Sequence, residues 1–227
     1  MKYLKPMNFK IHLFEEFKKY ESDSIDFTIS IEEYAHKICQ FLNIKYDYIK
    51  VIGEGGYGIA IDLGDSILKI TSDKSEAYYA NILLNINSKN LVKIYNVKEV
   101  KSDYQYGELY IIHEEKLITN INSVINLIIS YLHKRNPIIG QIETVSDDDI
   151  YNYFHTKILS LNRENILKIF HKIKNVYLEC KKYNIPFVDF HGSNVGIRKD
   201  NPTELVYFDI SDPYNTYNLN IDKIELI

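Results

Sequence analysis

Short apolar runs separated by turns occupy the chain between residues 46 and 70. Three runs, Tyr46 to Ile52, Ile59 to Leu63 and Ser66 to Ile70, have the length and the aliphatic content of strands. Between the last two lies Gly64-Asp65, a dipeptide that favours a tight two-residue hairpin turn. The pattern predicts an antiparallel meander, and a further strand is expected at Leu109 to Ile112.

Helical spacing of apolar residues characterises most of the remaining chain. It predicts one helix at about Lys74 to Leu84 and another at about Arg163 to Tyr183. Two more are expected between Ile118 and Ser160, joined by Lys134 to Ser146. The fold class predicted from these elements is α+β, with strands early in the chain and helices late.

One further helix is predicted before the strands. Ser30 and Glu33 form a capping box, and apolar residues then recur on one face: Ile31, Tyr34, Ala35, Ile38, Phe41 and Leu42. The favoured partner for this face is the sheet that follows, whereas an oligomer interface or a regulatory latch is the sharper alternative. Residues 1–45 are therefore treated as an N-terminal helical extension.

Composition narrows the class of protein. The chain has 227 residues, 45% of them hydrophobic, which suits a single compact unit with a sizeable core. A net charge of −4 gives no general attraction to nucleic acid or to an anionic membrane. Cys39 and Cys180 resemble buried thiols of a reducing compartment, although a bridge between them stays open. With no secretory or membrane-spanning run in the sequence, we expect a cytoplasmic protein.

The first candidate site is a glycine-rich loop. Gly53, Gly55 and Gly58 fit G-x-G-x-x-G, and Gly56 adds a fourth glycine. Glycine lets the backbone approach a phosphate closely, both in dinucleotide-binding Rossmann folds and in loops that join two strands. Because the strand Ile59 to Leu63 follows here in place of a helix, the Rossmann interpretation is disfavoured.

The second candidate site is a lysine inside an apolar strand. Lys69 lies between Leu68 and Ile70, where an unpaired ammonium would be costly. Glu76, at the start of the next helix, is a plausible anionic partner for this ammonium. The alternative is that Lys69 protects an edge strand and that Glu76 only favours the helix dipole.

The third candidate site combines two carboxylates and an amide. Asp189 and Asn194 follow one short apolar run, and Asp209 follows another. Asp189 could orient an acceptor hydroxyl, while Asn194 and Asp209 offer the hard oxygen ligands that Mg²⁺ prefers in metal-assisted phosphoryl transfer. Taken alone, this spacing also occurs in ordinary turns.

The order of these motifs resembles that of the protein-kinase-like superfamily, over the segment from Tyr46 to Pro213. The loop Asp189 to Asn194 is most similar to that of aminoglycoside and choline phosphotransferases and of small bacterial or phage kinase-like proteins. The resemblance implies a bilobal fold. Its antiparallel β small lobe would span residues 46–117, and its mostly helical, truncated large lobe would span residues 118–227.

The resemblance also implies ATP and Mg²⁺ as ligands, with a nucleotide and an unidentified acceptor as partners. Asp189 would be the catalytic base, with Asn194 and Asp209 as the metal ligands. Lys69 would anchor the phosphates, and Glu76 would hold Lys69 in place. The glycine-rich loop would cover the phosphates.

The adenine site is implied in the same way. His113 to Leu117 would form a hinge after the strand Leu109 to Ile112, and its backbone, including Glu114 and Glu115, would hydrogen-bond adenine. Ala60 and Ile67 differ from the residues that usually enclose the base. The preference for ATP over GTP therefore stays open.

The chain departs from the family pattern at several points. Phe187 replaces a histidine two residues before the catalytic aspartate, and Asp209-Ile210-Ser211 replaces D-F-G. From the short stretch after Asp209, we expect no conventional protein-substrate groove. Two alternatives to a kinase stay open: a pseudokinase-type regulator that binds nucleotide or a partner, and a transferase of AMP.

The acceptor is the least specified part of the prediction. The segment from Ile118 to Ser160 is where the resemblance places an acceptor pocket. Ser146 followed by three aspartates, Asp147 to Asp149, could face a cationic substrate, but a helix cap is the favoured interpretation. His191 is expected chiefly to shape its loop through a bond to a backbone group or a carboxylate.

Overall fold

The strands form a mostly antiparallel sheet. The structure, a computed structural model, describes residues 30–55, 57–100, 108–119, 123–134, 139–155, 162–212 and 225–226. The strands before the second unit are β1 (Lys50–Glu54), β2 (Gly58–Asp62), β3 (Ser66–Thr71), β4 (Ile94–Val100) and β5 (Leu109–Glu115). The helices are α1 (Ile31–Phe41), α2 (Lys74–Leu83), α3 (Ser123–Lys134), α4 (Asp147–His155) and α5 (Arg163–Lys182). Three two-residue strands follow: β6 (Val195–Gly196), β7 (Val206–Tyr207) and β8 (Glu225–Leu226).

The strand order in the larger sheet is β1-β2-β3-β5-β4-β8 in the described part of the chain. All neighbours are antiparallel except β4 and β8. At the β2–β3 hairpin, Leu63 N donates to Ser66 O over 2.9 Å, and Gly64 has a φ of +103°. A positive φ at the first turn residue suits glycine, so the turn is the one that the sequence predicted.

The chain forms two compact units. The first contains the described residues up to Asn85, the segment Ile94–Lys116 and β8, and the second contains Ile86–Lys93 and the described residues from Leu117 to Asp212. The fold is therefore α+β, with an antiparallel sheet in the first unit and α3, α4 and α5 in the second.

Helix α1 packs on the sheet of the first unit. Ser30 Oγ accepts the Glu33 N–H over 3.2 Å, which caps the helix as expected. One core joins four residues of α1 to the sheet: Tyr34, Ala35, Ile38 and Cys39. Phe41 was expected on this face but is 58% exposed. It lies in the last turn, about 90° around the axis from the centre of the buried stripe, at 100° per residue.

The second unit is built around α5. Asn162 caps the helix, and its buried residues recur at helical spacing: Ile166, Phe170, Ile173, Val176 and Cys180. Helices α3 and α4 both pack against it. At the start of α4, Ser146 Oγ accepts the Asp149 N–H over 3.1 Å and donates to Asp149 Oδ2 over 2.7 Å, so this serine caps the helix as favoured.

Both cysteines are buried free thiols, one in each unit. Burial raises the pKa of the Cys39 thiol to about 11. Among the residues that the structure describes, no helix has the length and the apolar character needed to cross a membrane.

Candidate functional site

Strand β3 places Lys69 inside the first unit, between two carboxylates. Lys69 Nζ lies 3.0 Å from Glu76 Oε1 on α2 and 3.2 Å from Glu114 Oε1 on β5. All three side chains are at least 88% buried, since their exposed fractions are 11%, 12% and 5%. The first contact is the ion pair suggested by the sequence, and the edge-strand alternative does not hold because β3 is flanked by β2 and β5.

The position of Glu76 follows from local sequence. Asp73 caps α2 by accepting the Ser75 N–H over 2.8 Å and the Glu76 N–H over 3.3 Å. Capping fixes the first turn of the helix, and the Glu76 side chain leaves from that turn toward β3. The carboxylate is therefore held by a defined helix start.

Glu114 lies within β5, which extends beyond the end at Ile112 that the sequence predicted. The hinge was predicted from His113 to Leu117, but β5 continues to Glu115, and residues His113 to Glu115 pair with β3. The strand is longer because Ser66, Ile67 and Leu68 provide partners for all three residues. Beyond it, Ile118 exchanges two backbone hydrogen bonds with Ile197, of 2.9 and 3.0 Å. The carboxylate of Glu114 faces Lys69, a contact that the hinge interpretation of its backbone did not include.

The glycine-rich loop joins β1 to β2, as a strand–loop–strand arrangement requires. Gly55 N donates to Gly58 O over 2.9 Å, and the register places Gly53 opposite Ala60. A side chain at Gly58 would meet the backbone oxygen of Ile70 at 2.4 Å. Gly53 and Gly55 have only ordinary contacts at 3.9 Å. Gly56 lies outside the described residues.

In the second unit, the structure brings Asp189, Asn194 and Asp209 together. The Asn194 side chain is buried, and its Nδ2 donates to Asp189 Oδ2 over 3.0 Å and to Asp189 O over 3.1 Å. The same nitrogen lies 3.5 Å from Asp209 O. The short β6–β7 pair holds these loops, with Val195 opposite Tyr207. One amide therefore links the two carboxylate-bearing loops.

Asp209 has a backbone φ of +56°, in the left-handed region. Only a few per cent of residues other than glycine adopt it, and such residues concentrate at functional sites. The conformation follows directly after β7, where Phe208 N donates to Asn194 O over 3.0 Å. The chain is thus turned sharply at the residue that was predicted to bind metal.

His191 contacts both its own loop and Asp189. Its Nδ1 accepts the Ser193 N–H over 3.3 Å, and its Nε2 lies 3.4 Å from Asp189 Oδ1. Because Nδ1 accepts, the ring proton of the neutral form lies on Nε2, facing the carboxylate. These are the loop-shaping contacts expected of this histidine.

An aromatic cluster that the sequence did not reveal packs beneath the loop. Phe187 and Phe190 stack with ring centroids 4.1 Å apart, and Tyr207 meets Phe190 edge to face at 5.2 Å. Stacking against Phe190 gives Phe187 a packing role. Burial raises the pKa of the Tyr207 hydroxyl, and Cys180, Asp189 and Asp209 add to the rise, so the hydroxyl stays neutral.

Asn126 of α3 is a second residue that the sequence did not single out. It is exposed, and its side chain lies so close to Gly192 that an added Cβ there would come within 1.6 Å of Asn126 Oδ1. Glycine at 192 therefore allows the Asn126 side chain of α3 to lie against this loop. Its closeness to Gly192 is a contact between segments distant in sequence, and no local sequence signal indicates it.

The donor set fits magnesium chemically. Asn194 uses its nitrogen for the contacts above, so its amide oxygen and the Asp209 carboxylate are the atoms suited to a hard cation. Within the described ranges, no group of three or more His, Cys, Asp or Glu side chains is placed to hold a metal ion. A two-residue protein set is what Mg²⁺ uses when phosphate oxygens and water complete its shell.

Comparison with known proteins gives no match, either to a family model or to a curated protein sequence. The function is therefore inferred from the residues and their geometry.

Proposed function

We propose that the chain is an ATP- and Mg²⁺-dependent phosphotransferase with a protein-kinase-like fold and a truncated large lobe. The γ-phosphate of ATP would pass to a hydroxyl of an acceptor that is not yet identified. The α+β architecture and the order of the motifs support this proposal.

The observation that carries the proposal is the Asp189–Asn194–Asp209 arrangement. Asn194 is buried and bonded to Asp189, and it lies against the backbone of Asp209, which has a left-handed φ. A buried amide that bonds to one carboxylate and contacts the left-handed backbone of a second acidic residue is an uncommon arrangement for an ordinary turn. A ligand shared by both carboxylates would explain this arrangement.

Each residue then has a chemical role. The Asp189 carboxylate would orient the acceptor hydroxyl and receive its proton as the acceptor oxygen bonds to the γ-phosphorus. The bond from that phosphorus to the bridging oxygen of ADP breaks, and ADP leaves. Asn194 and Asp209 would hold Mg²⁺, which when bound supplies positive charge against the phosphates.

Lys69 would bind phosphate oxygens in the same reaction. Glu76 keeps its ammonium oriented through the 3.0 Å contact. Glu114, at 3.2 Å, is a second acid on the same ammonium, and it would repel a phosphate brought close to Lys69. Nucleotide binding would therefore shift Lys69 from Glu114 toward the phosphate.

The test is turnover of ATP labelled at either the α- or the γ-phosphate. Wild-type protein should transfer γ-label to water, to itself or to an added acceptor, with no transfer from the α-position. Asp189→Asn should lower turnover by roughly 10²–10⁴-fold because the general base is lost. Asp200→Asn, an exposed acid of the same unit, is the matched control and should leave turnover unchanged.

Each other outcome has a definite meaning. Transfer of α-label would replace the proposal by transfer of AMP. Nucleotide binding without transfer of either label would indicate a pseudokinase-type regulator. Undiminished turnover by Asp189→Asn would remove the catalytic assignment.

A further inference from the structure

We propose that the second unit carries a separate binding site for a small phosphate-bearing anion. The site is a cavity of about 440 Å³, which we call the basic pocket, lined by Ser88, Lys89, Lys93, Glu179, Lys182 and Arg198 among others. None of these residues belongs to the Asp189–Asn194–Asp209 arrangement. The inference therefore does not depend on the proposed function.

A turn built around Ser88 lines one side of the basic pocket, which we call its floor. Its Oγ accepts the N–H groups of Asn90 and Leu91 over 3.0 and 3.1 Å, and donates to Glu179 Oε2 over 2.7 Å. The Asn90 side chain is fully buried, and its Nδ2 donates to Leu205 O over 2.9 Å. The turn is thus fixed to α5 and to the segment before β7.

Arg198 fixes the same turn from a second direction. Its guanidinium donates to the carbonyl oxygens of Lys89, Ser88 and Leu91 over 2.7, 3.2 and 2.9 Å. Three carbonyls gathered on one guanidinium hold the backbone in a single conformation and place a permanent positive charge at the pocket. The floor is therefore preorganised for a ligand.

Four of the residues that line the pocket are cationic, and one is acidic. Lys182 lies 3.5 Å from Glu179, and Lys89 lies 3.7 Å from Glu204, with lysine side chains 59% and 63% exposed. Exposed ion pairs of this length contribute little to stability. Lys89, Lys93, Lys182 and Arg198 surround one cavity with two acids nearby, in a chain of net charge −4. Such a concentration of like charge favours an anion.

Size and polarity select the class of ligand. A cavity of about 440 Å³ has the volume of a site for a small molecule. Ammonium and guanidinium groups match the multiple oxygens of phosphate groups better than a single carboxylate. The ligand that fits best is a small soluble molecule with one or more phosphates. A phosphorylated lipid headgroup has the same chemistry and must be separated by experiment.

The experiment is titration of uniformly ¹⁵N-labelled full chain with inorganic pyrophosphate at constant ionic strength, followed by NMR. Saturable shifts should be confined to the amides of residues 86–93, the end of α5 near Glu179 to Tyr183, and residues near Arg198. Lys89→Gln/Lys182→Gln should weaken binding by about tenfold or more, since two close cations are lost. Arg198 is left intact because its bonds hold the turn.

The matched control is Lys50→Gln/Lys168→Gln, which removes the same charge from exposed sites that do not line the pocket. Lys168 lies on α5, about 21 Å along the helix from Lys182 at 1.5 Å per residue. This control should bind pyrophosphate as tightly as wild type. Equal weakening in both double variants would reduce the effect to net charge, and absence of saturable shifts at the pocket would overturn the proposal. Binding to vesicles with phosphorylated headgroups, but not to pyrophosphate, would also overturn it.

Discussion

Lys69 forms ion pairs with two buried carboxylates. The Lys69 ammonium contacts the carboxylates of both Glu76 and Glu114, and all three side chains are almost wholly buried. Removing the cation leaves two acids close together in a medium that solvates them poorly. The usual substitution for testing a phosphate-binding lysine would therefore change folding as well as binding.

This environment predicts the stability of two variants. Lys69→Met should lower the free energy of unfolding by about 3–5 kcal/mol, because it removes a cation that contacts two buried carboxylates. Adding Glu114→Gln should restore part of that loss. Urea denaturation measures both changes, and Lys50→Met, at an exposed position in β1, is the control, with an expected change within about 0.5 kcal/mol. If Lys69→Met were as stable as the control, the buried cluster would be contradicted.

Two glycines of the glycine-rich loop between β1 and β2, Gly53 and Gly58, differ in the space available to a side chain. Gly58→Ala would place a Cβ 2.4 Å from the backbone oxygen of Ile70, which cannot move without breaking the β2–β3 pairing. We expect a loss of about 1–3 kcal/mol from overpacking. Gly53→Ala meets only Ala60 Cβ at 3.9 Å and should cost clearly less. Equal melting temperatures for the two variants would argue against this register.

At the scale of elements, β5 shows where sequence patterns succeed and where they stop. The apolar run Leu109 to Ile112 identified the strand, but the polar residues His113, Glu114 and Glu115 ended the pattern too early. They remain in the strand because β3 supplies backbone partners and because Lys69 and Ser66 meet the side chains of Glu114 and His113. A partner on another strand can offset the cost of burying a polar residue. A sequence pattern read over a few consecutive residues does not include that partner.

His113 makes the first unit sensitive to acid. Its Nε2 lies 2.9 Å from Ser66 Oγ, and burial lowers its pKa below the ordinary value of 6.5. The unfolded chain therefore binds the proton more tightly, so stability is complete above pH 6.5 and falls as pH decreases from there toward the folded-state pKa.

The measurement is the urea midpoint as a function of pH from 8 to 5. His113→Gln should flatten the fall below about pH 6.5, while His36→Gln, at an exposed position of α1, should keep it. A profile that is identical in all three proteins would show that His113 is not the group responsible.

Residues of the candidate site that are positioned by tertiary packing could not be predicted from the sequence. Lys69 was found because a lone charge interrupts an apolar strand, and Asp189, Asn194 and Asp209 because they follow short apolar runs. Asn126 and the aromatic partners of Phe187 carry no such local signal. Asn126 and Tyr207 reach this loop through the packing of α3 and β7, which depends on tertiary structure.

At the scale of the whole molecule, the sequence predicted the α+β class, the five described helices and the strands β1, β2, β3 and β5, but it did not predict β4 (Ile94–Val100). It did not predict that the segment Ile86–Lys93 belongs with the second unit, where backbone bonds join it to Tyr207. Hydrogen bonds of this kind, between residues more than 100 positions apart, have no periodicity in the sequence.

The central claim is that Asp209 and Asn194 bind the magnesium of a nucleotide, and titration of ATP with and without Mg²⁺ tests it most directly. Wild type should bind ATP at least about tenfold more tightly with Mg²⁺, and Asp209→Asn should lose most of that difference because a charged ligand is removed. Asparagine tolerates the left-handed φ of +56°, so the fold should be retained, and Asp200→Asn serves as the control. An affinity of wild type that is independent of Mg²⁺, or an Asp209→Asn variant that keeps the full dependence, would contradict the claim.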